Sequence, residues 1–271
     1  MSKLLLINDL AGYGKVALSA MIPILSHMQY EVCSLPTALV SNTLDYGKFE
    51  ILETTSYMKN TLQVWDALGF QFDAVSTGFI VSRPQTELVR DFCRAQKAKG
   101  TRIFTDPIMG DEGKLYNGVG EETVAHMRKM VAVADCIVPN YTEAAYLADM
   151  PYHEDMTEVE ARALTIRLHE MGEKSVVVTS ANLDGENCVV GYDGMEGEFF
   201  RIPFDLIPVR FVGTGDIFAA VMLGRLVDGV PLQESTHRAM DAVRTMIDRN
   251  RDKEDKYLGI PIETCLEVLD E

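Results

Sequence analysis

Along the chain, short runs dense in Val, Ile and Leu alternate with longer stretches whose apolar residues recur every three or four positions. The runs fall at residues 3–8 (KLLLIN), 31–36 (EVCSLP), 73–78 (DAVSTG), 102–106 (RIFTD), 136–139 (CIVP) and 175–179 (SVVVT). Between them lie helical patterns such as Gln85 to Lys99 and Glu158 to Met171. Strand and helix in alternation predict an α/β fold: a mainly parallel central sheet with helices on both faces. After Thr179 the pattern changes to NCVVGYD and GEFFRIP around a Gly-Met-Glu-Gly turn, which predicts an antiparallel hairpin at one sheet edge. The last third reads as helices over 214–228, 232–249 and 261–270, with Pro231 and Pro261 near two of the starts.

The 271 residues show no internal repeat, low-complexity tract or linker, so we expect one domain over 1–271. Hydrophobic residues make up 47% and charged residues 24%, which excludes a disordered chain. With 25 Lys and Arg against 41 Asp and Glu, the net charge of −16 argues against binding nucleic acid or an anionic membrane, both of which need a basic face. An anionic ligand would then be neutralised locally, by helix N-termini, backbone N–H groups or a divalent metal. The start, MSKLLLINDLAGYG, has too short an apolar core for a signal or a span, and we expect a cytoplasmic protein. Five widely spaced cysteines read as buried thiols, and the five histidines have no ligand spacing.

In parallel α/β sheets ligands sit beyond the carboxyl ends of the strands. Those positions are Asn8 and Asp9, Gly78 and Phe79, Asp106 and Pro107, Asn140, and Thr179 with Ser180. GYGKVA at 12–17 resembles a dinucleotide fingerprint, but no acid ends the next strand to hold a ribose. It fails as a P-loop too, because Asp9 and Val16 stand where a glycine and a Ser or Thr are required. What remains there is a glycine-rich turn that lets a ligand approach the backbone. The richest segment is VRFVGTGDIFAAVML, Val209 to Leu223. Gly213, Thr214 and Gly215 can turn successive N–H groups toward one point at a helix N-terminus, making an anion hole, and Asp216 stands in its first turn. Asp216 has a plain structural reading as a helix cap, and so do Asn140 and Glu143 in NYTE. Together with Asp106 and Asp111 of DPIMGD, however, these residues gather carboxylates and amides where strands end, a setting suited to Mg²⁺ and phosphates.

The set GTGD, PNYTE, DPIMGD and VVVTS resembles the ribokinase superfamily, and within it the vitamin kinases. INDLAGYGKVALSAMIPIL is similar to that family's N-terminal substrate segment, and VSNTLDYGKFE to its S-N-x-x-x-Y stretch. The resemblance implies a ribokinase-like three-layer fold and ATP-dependent phosphorylation of the 5′-hydroxymethyl group of vitamin B6 compounds. It makes Asp216 the base, and Gly213, Thr214 and Gly215 the anion hole. Asn140 and Glu143 match the metal and phosphate motif, Asp106 and Asp111 the aspartates near phosphates and cations. Thr179 with Ser180 matches the nucleotide contact, and Tyr116 lies on the loop over the phosphates. Asp9, Ser41, Asn42, Tyr46 and Phe79 match substrate positions. ATP, Mg²⁺, a monovalent cation such as K⁺ and a homodimer are implied likewise.

The chain departs from this pattern at three places. Phe79 stands where a tyrosine usually stacks on the pyridine ring, Asp9 where a serine is frequent, and Leu44 near a frequent threonine. The rival within the superfamily, hydroxymethylpyrimidine kinase, usually reads G-T-G-C where this chain has Asp216. A rival of another class is a nucleotide- or vitamin-binding regulator without turnover, for which an intact carboxylate set has no evident use.

Overall fold

The structure is a computed structural model, and it describes residues 1–116, 120–172 and 174–270. In chain order the strands are β1 (Lys3–Ala11), β2 (Glu31–Val40), β3 (Ile51–Glu53), β4 (Ala74–Thr77), β5 (Arg102–Thr105), β6 (Gly110–Asp111), β7 (Lys114–Leu115), β8 (Cys136–Ile137), β9 (Ser175–Leu183), β10 (Glu186–Asp193) and β11 (Glu198–Pro203). The α-helices are α1 (Ala17–His27), α2 (Thr55–Ala67), α3 (Arg83–Lys97), α4 (Glu121–Val131), α5 (Tyr141–Ala148), α6 (Glu158–His169), α7 (Thr214–Val227) and α8 (Leu232–Arg249). They form two compact units, residues 1–81 with 207–271 and residues 82–206.

In the first unit the strand order is β4-β1-β2-β3. β1 pairs in parallel with both β2 and β4, and β3 returns antiparallel on β2. A strand flanked on both edges is expected to be apolar throughout, and Leu4, Leu5, Leu6 and Ile7 are fully buried. The β1–β2 register shifts between Asn8 and Leu10. Helix α7 packs against α1 and α8. It is apolar all round, as a core helix must be, and buries every residue from Ile217 to Gly224. Burying Ile217, Phe218, Val221, Met222 and Leu223 contributes about 1.5–3 kcal/mol each. That packing makes the start of α7 a rigid platform.

In the second unit the order is β5-β8-β9-β10-β11. β5, β8 and β9 are parallel, and β10 and β11 form the expected antiparallel edge hairpin. β6 and β7 make a separate two-stranded hairpin. Helix α6 starts on a capping box of Thr157 and Glu160, and α5 on one of Asn140 and Glu143.

The structure corrects several boundaries. β9 runs on to Leu183, so Thr179 and Ser180 lie inside a strand rather than after it. The break in regularity is there all the same: Ser180 has a φ of 57°, and the β9–β10 register shifts nearby. The segment 261–270 forms two short 3₁₀ helices, Ile262–Thr264 and Leu266–Asp270, instead of an α-helix. Of the buried side chains there, Ile262, Cys265, Val268 and Leu269, the first three recur every three residues, which is the 3₁₀ period. All five cysteines are free, and all but the half-buried Cys33 are buried. Among the described residues no helix is long and apolar enough to cross a membrane.

Candidate active site

In the first unit the site is built around the start of α7. Gly213 caps the helix with φ 81° and ψ 2°, a left-handed conformation that costs an L-residue about 1–2 kcal/mol. A Cβ there would also lie 2.1 Å from the Lys15 carbonyl oxygen, so the fold itself demands glycine. Gly215 differs. It is exposed, and a Cβ on it would meet nothing within 4 Å. Glycine in a first turn costs helix stability relative to alanine, and packing offers no return for it. It leaves the backbone approachable.

The cap residue of α7, Gly213, brings no side chain to the helix's free N–H groups. Asp216, half-buried in the first turn, accepts a hydrogen bond from the Ala17 backbone N–H at the start of α1. Ala17 holds a φ of 47°, an uncommon value for a non-glycine residue. Burial pushes the Asp216 carboxyl up to about 6, with that N–H opposing the shift. Asp9, at the carboxyl end of β1, is also half-buried and is pushed up to about 7, first by burial and then by the charge of Asp216. Two carboxyl groups within electrostatic reach, both raised by burial, can hold or release a proton near neutral pH.

Phe79 follows β4 and is half-buried between the buried Gly78 and Ile80. The remaining predicted substrate residues are engaged with the protein itself. Ser41 Oγ donates to Asn42 Oδ1 at 2.7 Å and accepts from the Glu50 N–H at 2.9 Å. Asn42 Nδ2 donates to the carbonyls of Thr43 and Lys48 at 3.0 and 2.9 Å. Tyr46 donates its hydroxyl to Asp255 at 2.5 Å and packs its ring against Tyr13 and Tyr257. These three shape the 41–50 segment. Gly14, in the glycine-rich turn, comes up against Thr43, where a Cβ would lie 2.2 Å from the methyl group. At that point the protein's own chain makes the close approach expected of a ligand.

In the second unit the site is the start of α5 and the turn that leads into the β6–β7 hairpin. Asn140 Oδ1 accepts from the Glu143 N–H at 3.0 Å, and its Nδ2 donates to the Gly110 carbonyl at 2.8 Å. Glu143 is buried, and its two oxygens accept from the N–H groups of Met109 at 2.9 Å and Asn140 at 2.9 Å, with Gly110 more distant at 3.5 Å. Burial, helped by the Asp111 charge, pushes Glu143 up to about 8 against those donors. Thr142 Oγ1 accepts from the Gly113 N–H at 2.8 Å. The N-terminal turn of α5 thus clamps the loop carrying Asp106 and Asp111, both half-buried. Thr179 bridges in parallel to Asn140, which brings the β9 irregularity to the same helix start. Tyr116 is exposed just after β7, its N–H bonded to the Met109 carbonyl. The next residues of GKLYNG, 117 and 118, lie outside the described residues.

Some contributors had no readable signal in the sequence. The Ala17 N–H belongs to a backbone that no side-chain pattern reveals. Asp255 sits in the charge run DRNRDKEDK, which reads as a solvated connection, yet it accepts from Tyr46 and from the Tyr257 and Leu258 N–H groups.

An apolar helix opening on a glycine turn and a raised carboxylate, within mainly parallel α/β units, is the pattern of the ribokinase-like small-molecule kinases. Residues 18–259 match the family described as phosphomethylpyrimidine kinase, and the chain belongs to that family. Among individual proteins it is similar to a pyridoxal kinase of Arabidopsis thaliana, 28% identical over 267 residues that cover 92% of this chain and 82% of that one. It is similar to the crystal structure of a candidate phosphomethylpyrimidine kinase of Bacteroides thetaiotaomicron with pyridoxal, at a TM-score of 0.95 and 35% identity over 100% of this chain and 96% of that one. The pyridoxal kinase of Lactobacillus plantarum follows at a TM-score of 0.89 and 27% identity, covering 99% and 96%. The chain is therefore a kinase with a ribokinase-like α/β fold.

Proposed function

We propose that the protein phosphorylates the 5′-hydroxymethyl group of vitamin B6 vitamers with ATP, acting as a pyridoxal kinase. The observation that carries this reading is the uncapped, approachable start of α7 with Asp216 behind it. The Bacteroides relative, similar over the whole of this chain, holds pyridoxal, and the Arabidopsis and Lactobacillus relatives are pyridoxal kinases.

Asp216 takes the proton of the substrate hydroxyl as its oxygen attacks the γ-phosphorus, and the bond to the ADP oxygen breaks. A carboxyl raised to about 6 is ionised at neutral pH yet far more basic than an ordinary aspartate, as a general base should be. The N–H groups of Gly213, Thr214 and Gly215 stabilise charge on the transferred group. Asp9 hydrogen-bonds the ring substituents, Phe79 stacks on the ring, and Ser41, Asn42 and Tyr46 shape the segment beside it. Asn140, Glu143, Asp111, Thr179, Ser180 and Tyr116 serve the nucleotide, with Glu143 acting through the loop it clamps.

Among the described residues no three His, Cys, Asp or Glu side chains group to hold a metal. Mg²⁺ keeps waters and arrives with phosphates, so it would need only one or two carboxylates. Asp106 and Asp111 would hold it, supported by Glu143, and it would neutralise phosphate charge. We extend the same reading to a monovalent cation such as K⁺ and a homodimer, both from the resemblance, and propose a cytoplasmic setting with them.

The description of the matched family names a phosphomethylpyrimidine, and the competing substrate on our reading is the related hydroxymethylpyrimidine. The test is ADP release from ATP and Mg²⁺ with pyridoxal, pyridoxine, pyridoxamine or hydroxymethylpyrimidine. Release above the ATP-only background is expected with a B6 vitamer. Release with the pyrimidine alone would replace the substrate, and release with none would overturn the reading.

A further inference from the structure

Asn8 is 3% exposed, in a strand whose preceding four residues are wholly apolar. A buried amide is costly unless its hydrogen bonds are made. Its Oδ1 accepts two backbone donors, the N–H of Asp9 at 3.0 Å and the N–H of Phe79 at 2.8 Å. Its Nδ2 meets the Met21 sulfur at 3.8 Å. These contacts fall where the regular ladders stop, because the β1–β4 pairing ends at Ile7 and Thr77, and the β1–β2 register shifts just past Asn8. The side chain replaces the missing ladder bond between the two strand ends. Gly78 admits it, since a Cβ there would lie 2.4–2.6 Å from Nδ2, Cγ and Oδ1 of Asn8.

One amide oxygen therefore sets the backbone of both Asp9 and Phe79. We propose that Asn8 is a specificity-positioning residue, fixing the spacing between the carboxylate that reads ring substituents and the ring that stacks on the substrate. This rests on the vitamin-kinase reading above. A flat aromatic ligand touches both groups at once, so a small change in their spacing weakens its binding and alters which substituent fits. On that reading the nucleotide makes no use of this pair.

The test compares wild type with Asn8→Ala, Asn8→Asp and Gly78→Ala, following amide hydrogen exchange at Asp9 and Phe79, pyridoxal binding without ATP, and KM for each vitamer and for ATP. In Asn8→Ala both amides are expected to exchange faster together while Leu5 to Ile7 stay protected. KM for the vitamers should rise about tenfold and the pyridoxamine-to-pyridoxine preference should shift, with KM for ATP within about twofold. Asn8→Asp keeps an oxygen acceptor and should restore protection of both amides, whereas Gly78→Ala, which displaces the amide, should copy Asn8→Ala. Unchanged exchange would overturn the clamp. Changed exchange with unaltered vitamer selectivity, or with vitamer and ATP KM rising together, would overturn its role in specificity. A wild type that binds no vitamer, with the paired exchange intact, would overturn the vitamin-kinase reading instead.

Discussion

Helices α5 and α7 both carry an acid in the first turn, Glu143 in one and Asp216 in the other. In α5 the helix start is closed by the protein: Asn140 and Glu143 cap each other's N–H groups, and Glu143 also holds the 109–110 turn. In α7 the cap residue is a glycine, which brings no capping side chain, and the acid turns away to the N–H of Ala17. A capped helix end has little left to offer a ligand, whereas an uncapped one retains its donors and its dipole. The same residue pattern thus supports a loop in one unit and leaves chemistry available in the other.

Substitutions at the two starts should separate them. Asp216→Asn is expected to lower kcat about 100-fold or more while ATP binding is kept, measured by turnover and by nucleotide titration. Its stability should move the other way. The native carboxyl titrates at about 6, above its ordinary 3.8, so the folded state binds more protons over that interval and stability falls as pH rises through it. Above about pH 6 the amide should therefore gain about 1 kcal/mol, after allowance for solvent screening, seen as a Tm a few degrees higher.

Gly215→Ala should lower kcat about tenfold with Tm unchanged or slightly raised, because the new methyl meets open space in the protein but crowds a phosphoryl group. Gly213→Ala should instead lose roughly 2 kcal/mol or more in thermal melts, through its positive φ and the Lys15 carbonyl. Equal behaviour of the two glycines would break the contrast. At α5, Glu143→Ala should cost about 2–3 kcal/mol of stability, a Tm lower by roughly 5–10 °C, since three N–H groups lose their acceptor. The smallest effect is expected at Asp9: Asp9→Ser should change the relative kcat/KM of pyridoxamine and pyridoxine by a few-fold. An unchanged ratio would remove Asp9 from vitamer selection.

The parallel strands, the edge hairpin and α7 were legible because their apolar runs are long enough to show a period. β3, β6 and β7 span two or three residues each and carry no period at all. The end of the chain misleads for a different reason: apolar residues three apart fit one face of an α-helix about as well as they fit the 3₁₀ turns that form. At the site, the helix-start position of Asp216 and the strand-end positions of Asp9, Phe79 and Asn140 were readable. Their partners were not, since the Ala17 N–H, the Met109 N–H and the shared oxygen of Asn8 are long-range contacts that only the fold creates. For the same reason the sequence alone left the acids of both helices equally suited to capping.

The most direct test of the account is to incubate the protein with ATP, Mg²⁺ and pyridoxal and to follow the phosphorus by ³¹P NMR. We predict a phosphate monoester on the 5′-oxygen of pyridoxal, formed in equal amount with ADP and lost in Asp216→Asn. ADP without the ester, or an ester formed undiminished by Asp216→Asn, would contradict it.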